Sequence, residues 1–134
     1  MFLNKLEKNT KDLFLKLCIH AALSNGVFAD EQKEMVKAYC REMNIPEDIP
    51  EFNDTFEELL DQISLKTTNQ EKKIIVLEIL GLIKSDGIYD EKEKLFMKSL
   101  IKGINVNEDV LNKTQSLLEI YTVVCKELYT LISE

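Results

Sequence analysis

Apolar residues in this chain recur at spacings of three and four, the period of one helix face, in blocks separated by polar turns. Leu13, Phe14, Leu17, Cys18, Ala21 and Ala22 share a face of a helix predicted over 10–23, which Gly26 is placed to end. Met35, Val36, Tyr39, Cys40 and Met43 stripe a second helix from residue 29 or 30 to 43. Pro46 and Pro50 disfavour helix in the residues before them. Phe56, Leu59, Leu60 and Ile63 predict a short helix over 52–64. Thr67, Thr68 or Asn69 can cap a fourth, running to about Lys84. From Ile74 to Ile83 this helix is apolar on nearly every side, with Glu78 its one acid there, the pattern of a helix surrounded by others. Helices over 90–102 and 109–133 complete the chain. Leu118, Tyr121, Cys125, Leu128 and Ile132 stripe the last of them. The pattern predicts one all-α domain over 1–134, a compact bundle of about six or seven helices.

The pattern also repeats. Ser24-Asn25-Gly26-Val27-Phe28-Ala29-Asp30 is echoed 61 positions later by Ser85-Asp86-Gly87-Ile88-Tyr89-Asp90-Glu91. Lys33, Lys37, Asn44 and Ile45 meet Lys94, Lys98, Asn105 and Val106 at the same offset. Self-similarity at a fixed offset implies a duplicated supersecondary unit, here helix, glycine turn, helix.

Composition narrows the function classes. The net charge is -7, and Arg41 is the single arginine among seventeen basic residues. Nucleic-acid binding calls for a basic patch with arginine, so it is disfavoured, whereas cations or a basic partner surface suit an acidic chain. Cys18, Cys40 and Cys125 are odd in number and scattered among apolar neighbours, which fits buried free thiols in a reducing compartment. Charges come too early for a signal peptide, and no apolar run reaches the ~20 residues needed to span a bilayer. The expected location is cytoplasmic.

Candidate chemistry concentrates at the second turn. With Gly87 at the sixth position of a calcium loop, Asp86, Asp90 and Glu93 fall at the fifth, ninth and twelfth. Leu82 and Lys84 then occupy the first and third positions, and the first copy offers only Asn25, Ala29 and Gln32. An ordinary EF-hand is excluded. One reading makes these acids helix caps. The sharper one is a shared divalent-cation site for calcium or magnesium, with Asp86, Asp90 and Glu93 as ligands and Asn25 and Asp30 assisting. His20 reads as a partly buried structural residue, and zinc finds no paired ligands. Phe28 and Tyr89 read as core anchors of their turns. No nucleophile motif or phosphate loop is present, so no enzyme is expected. Glu78 reads as a helix-interior acid that pairs with a lysine.

The same residues carry a family resemblance. An apolar helix, Ser85-Asp86-Gly87, an aromatic residue, Asp90 and then Glu93 resembles the TerB-like family, named from tellurite-resistance proteins. The match is stronger over 80–95, with a degenerate copy over 17–35, and extends across most of 10–106. The resemblance implies an all-helical fold, association with stress-response or membrane-linked complexes, and metal binding through turn acids. In the first copy Asn25, Ala29 and Gln32 replace the acids, removing charge where a cation needs it. The expected function is a non-enzymatic module that binds a protein partner, with metal binding or sensing as the alternative. Leu117, Ile120, Val123, Val124 and Leu131 give the last helix more apolar surface than one stripe needs, which fits either a central helix or a homodimer face.

Overall fold

The computed structural model describes residues 1–23, 30–47, 53–84 and 89–134. Among these the chain forms six α-helices: α1 (Lys8–Ala22), α2 (Asp30–Met43), α3 (Phe56–Lys66), α4 (Asn69–Ile83), α5 (Glu91–Gly103) and α6 (Glu108–Ser133). One 3-10 turn over Leu3–Lys5 precedes them. The all-α expectation holds. α3 starts four residues later than its apolar pattern predicts, because Thr55 supplies a cap. The Thr55 hydroxyl accepts from the Glu58 amide at 3.1 Å, and the Glu58 carboxylate accepts from the Thr55 amide at 3.3 Å. Phe52, predicted to open this helix, lies outside the described residues.

The duplication is visible in the backbone. Adding 61 to both ends of α1 gives both ends of α4, and adding it to the start of α2 gives the start of α5. Asn44 and Asn105, also 61 apart, have φ of 58° and 61°. Each closes its helix in the same way. Ile45 N donates to Cys40 O at 3.0 Å and Asn44 N to Arg41 O at 3.1 Å, while Val106 N donates to Ile101 O at 2.8 Å and Asn105 N to Lys102 O at 3.3 Å. This is the Schellman closure, and asparagine tolerates its left-handed position better than most residues. Most of the buried polar residues are repeat partners too, Thr10 with Glu71 and Gln32 with Glu93.

As its pattern predicts, α4 sits centrally, against α1, α2, α5 and α6. Ile75, Val76, Ile79, Leu80, Leu82 and Ile83 are wholly buried, and each such side chain contributes about 1.5–3 kcal/mol. α3 lies on α1 and α5. The approach to α5 is close: a Cβ on Gly103 would lie 3.0 Å from Leu60 Cβ and nearer still to Leu60 Cδ1. Phe56 of α3 stacks on Phe96 of α5 at 4.9 Å, with the half-buried His20 ring 5.7 Å away. Cys18 and Cys40 are buried as expected, but Cys125 is only half covered, because α6 leaves the body of the protein.

Asn44→Gly is expected to leave urea-unfolding stability nearly unchanged, since glycine is at ease at φ 58°. Asn44→Val should cost about 1–2 kcal/mol. Equal stability of the two variants would refute the closure argument.

Candidate functional site

Among the five residues that sequence points to, the structure describes three. Asp90 precedes α5, and its Oδ1 accepts from the Glu93 amide at 2.8 Å. Glu93 Oε1 accepts from the Asp90 amide at 3.0 Å, and the Glu93 side chain is buried. These two acids thus form a capping box, each satisfying a backbone donor that the first turn leaves open. Asp30 opens α2 with a side chain almost wholly in water, 4.0 Å from Lys33 Nζ. Asn25 and Asp86, with Phe28, lie outside the described residues. Among the described residues, no group of three or more His, Cys, Asp or Glu is arranged to hold a metal ion. Tyr89 is half-buried against the core, with Lys84 and Lys94 Nζ 5.5 and 5.7 Å from its ring centre.

Two further acids lie on α4, and both hold backbone rather than lysine. Glu78 is 5% exposed. Its Oε1 accepts from the α-amino group of Met1 at 2.8 Å and from the Phe2 amide at 3.0 Å. Glu42 of α2 meets the same segment, accepting from Met1 at 3.0 Å and from the Leu3 amide at 2.7 Å. The lysine expected opposite Glu78 is therefore replaced by the chain's own first residues. Tyr39 donates its hydroxyl to the Glu78 carbonyl at 3.0 Å, which fastens α2 to α4.

Glu71 escaped the sequence reading, although Thr68 three residues before it announces a capping box. The Thr68 amide donates to Glu71 Oε1 at 3.1 Å, and the Glu7 amide to Oε2 at 2.9 Å. Burial alone would raise the pKa of this carboxyl. The amides of Glu7 and Thr68 and the hydroxyls of Thr10 and Thr68 outweigh it and hold the pKa below the usual 4.5. Its repeat partner Thr10 is thus one of its donors.

A third feature is open to solvent. Between α6 and α2 lies a groove of about 770 Å³, lined by Met1, Met35, Tyr39, Glu78, Leu118 and Tyr121. A smaller one, about 440 Å³, runs between α4 and α6 past Ile74, Leu77 and Leu117, with Lys73 and Lys113 at its edges. In α6 only Leu111 is buried, and nine large apolar side chains from Leu117 to Ile132 are between 46% and 76% exposed. α6 is therefore no central helix. Nor does it cross a membrane: among the described residues no helix is long and apolar enough to do so.

Among solved structures, the chain is similar to a tellurite resistance protein from Nostoc punctiforme, with a TM-score of 0.69, 17% identity, and coverage of 91% of this chain and 79% of that one. The fold is TerB-like. This bears out the architecture implied by the Ser85-Asp86-Gly87 turn, at an identity that marks a divergent chain. No family model and no curated protein matches the sequence.

Two outcomes follow. The stabilisation from Glu71 is complete above the unfolded value of 4.5 and is lost as pH falls through its lower folded value. Thermal midpoints of the native chain should therefore fall more steeply on acidification below pH 4.5 than those of Glu71→Gln; parallel curves would refute this. Asp90→Ala should cost about 1 kcal/mol as a lost cap, and Asp30→Ala almost nothing, as read from chemical unfolding.

Proposed function

We propose that this chain is a non-catalytic helical module that docks another protein helix through α6, in a stress-response setting. The observation that supports this is the run of exposed apolar side chains along the outer half of α6. Soluble proteins rarely leave a contiguous apolar surface of this size uncovered unless something binds there. Amphipathic helices are commonly held by such surfaces, helix against helix or helix in groove. The stress-response setting rests on the TerB-like fold and on the tellurite resistance of the similar protein from Nostoc punctiforme. The fold alone does not carry an activity, so the setting is tested in cells.

The test replaces the native copy by the double variant Leu128→Glu with Ile132→Glu, both side chains being more than half exposed. Its helix content by circular dichroism should match the native chain, since changes at exposed sites stay near ±0.5 kcal/mol. Under tellurite or oxidant challenge, cells carrying it should be as sensitive as cells lacking the gene. Full protection by a folded variant would rule the docking role out.

A further inference from the structure

We infer that the helix docked on α6 is the α6 of a second copy of this chain, paired antiparallel about a two-fold axis between Thr122 and Val123. This inference rests on the docking role proposed above and names its partner. Three observations carry it.

The first is area. Five of the nine exposed apolar side chains, Leu117, Tyr121, Val124, Leu128 and Leu131, face one side of α6 and are each about half exposed or more. At on the order of 100 Å² apiece they present roughly 500 Å² per chain from the helix alone, the larger part of the about 800 Å² per partner in a standard interface. The surface is nearly free of charge. From Leu117 to Ile132 only Glu119, Lys126 and Glu127 carry charge at neutral pH. Such an apolar face is characteristic of permanent self-association.

The second is register. Thr114, Leu117, Tyr121, Val124, Leu128 and Leu131 follow one another at alternating steps of three and four, the seam of a coiled coil. Turned end for end about the chosen axis, the seam meets itself. Tyr121 lies level with Val124 of the second copy, Leu117 with its Leu128, and Thr114 with its Leu131. α6 is 26 residues long, about 39 Å at 1.5 Å per residue, and its far half stands clear of its own body. Antiparallel pairing returns that half to the body of the other copy, where the groove beside Ile74, Leu77 and Leu117 lies open. Parallel pairing would leave both far ends in water with the outer apolar sides of Tyr129 and Ile132 uncovered.

The third is charge. Lys113 and Glu134 lie 21 residues apart, three heptads, on the same flank of the seam. Antiparallel pairing sets each beside the opposite charge on the other copy, twice over by symmetry. Lys73 and Lys113 border the groove that receives the far end of α6, and the last turn of that helix carries no basic residue of its own. Cations are favourable at such an end.

Sedimentation equilibrium over ~1–100 μM should give twice the 15.5 kDa of one chain. Val124→Glu and Leu128→Glu, at exposed sites that the fold does not need, should each return it to a monomer with unchanged helix content. In a Cys125→Ser background, chains carrying Leu117→Cys mixed with chains carrying Leu128→Cys should form a disulfide-linked dimer on mild oxidation, and neither should link to itself. Self-linking of either variant would overturn the antiparallel register. A dimer that survives both glutamates would overturn α6 as the interface. A monomer at every concentration would overturn the pairing. If that monomer bound a hydrophobic dye and Leu128→Glu abolished the binding, docking of a different chain would stand. Without dye binding, both readings would fall.

Discussion

A helix with no polar face must be covered from every direction, and the rest of this protein is arranged to cover α4. Ile74, Ile75, Val76, Leu80 and Leu82 spread around more than half of that helix and are buried, so α1, α2, α5 and α6 have to converge on it. The constraint is sharpened by Glu71 and Glu78, because a carboxylate taken out of water without donors is very costly. Donors come from the chain's first residues and from the start of α1. Covering α4 thus helps fix the path of the N-terminal segment, together with Glu42 of α2 and the burial of Leu3 and Leu6 in the core.

The helices were legible because their signals are local. Apolar period, prolines and glycines place all six, and the central role of α4 follows from its lack of a polar side. The start of α3 was misjudged because Phe52 continues the apolar spacing, whereas Thr55 and Glu58 decide the boundary through two hydrogen bonds. The partner of Glu78 was not legible, since a lysine one turn away and an amide 76 residues away leave the same trace in sequence. Of the acids at the second turn, Asp90 and Glu93 form the capping box that their spacing permits, while Asp86 lies outside the described residues. The surplus on α6 was legible too, but choosing between a central helix and an outer face needs the positions of all the other helices.

Duplication built the framework, and departures from it created the open surfaces. α3 closes on α5 because residue 103 is glycine, which lets Leu60 come within contact of the backbone. The equivalent pair one repeat away is Tyr121 of α6 and Glu42 of α2. There the N-terminal segment intervenes, held by Glu42 and Glu78, and a groove of about 770 Å³ remains between α6 and α2. Freed from that second contact, α6 continues past the body and keeps its apolar residues in solvent.

The difference between Gly103 and Glu42 also means that the two units no longer fit each other's place. An ancestral repeat can be lengthened, shortened or recombined as long as either unit can stand in for the other. Here a first unit copied into the second place would bring a glutamate side chain to the position where Leu60 already meets bare backbone. A second unit copied into the first place would bring glycine to residue 42 and take from the Leu3 amide its acceptor. The two halves share their outlines and their asparagine closures, yet each has become a part that fits only one place.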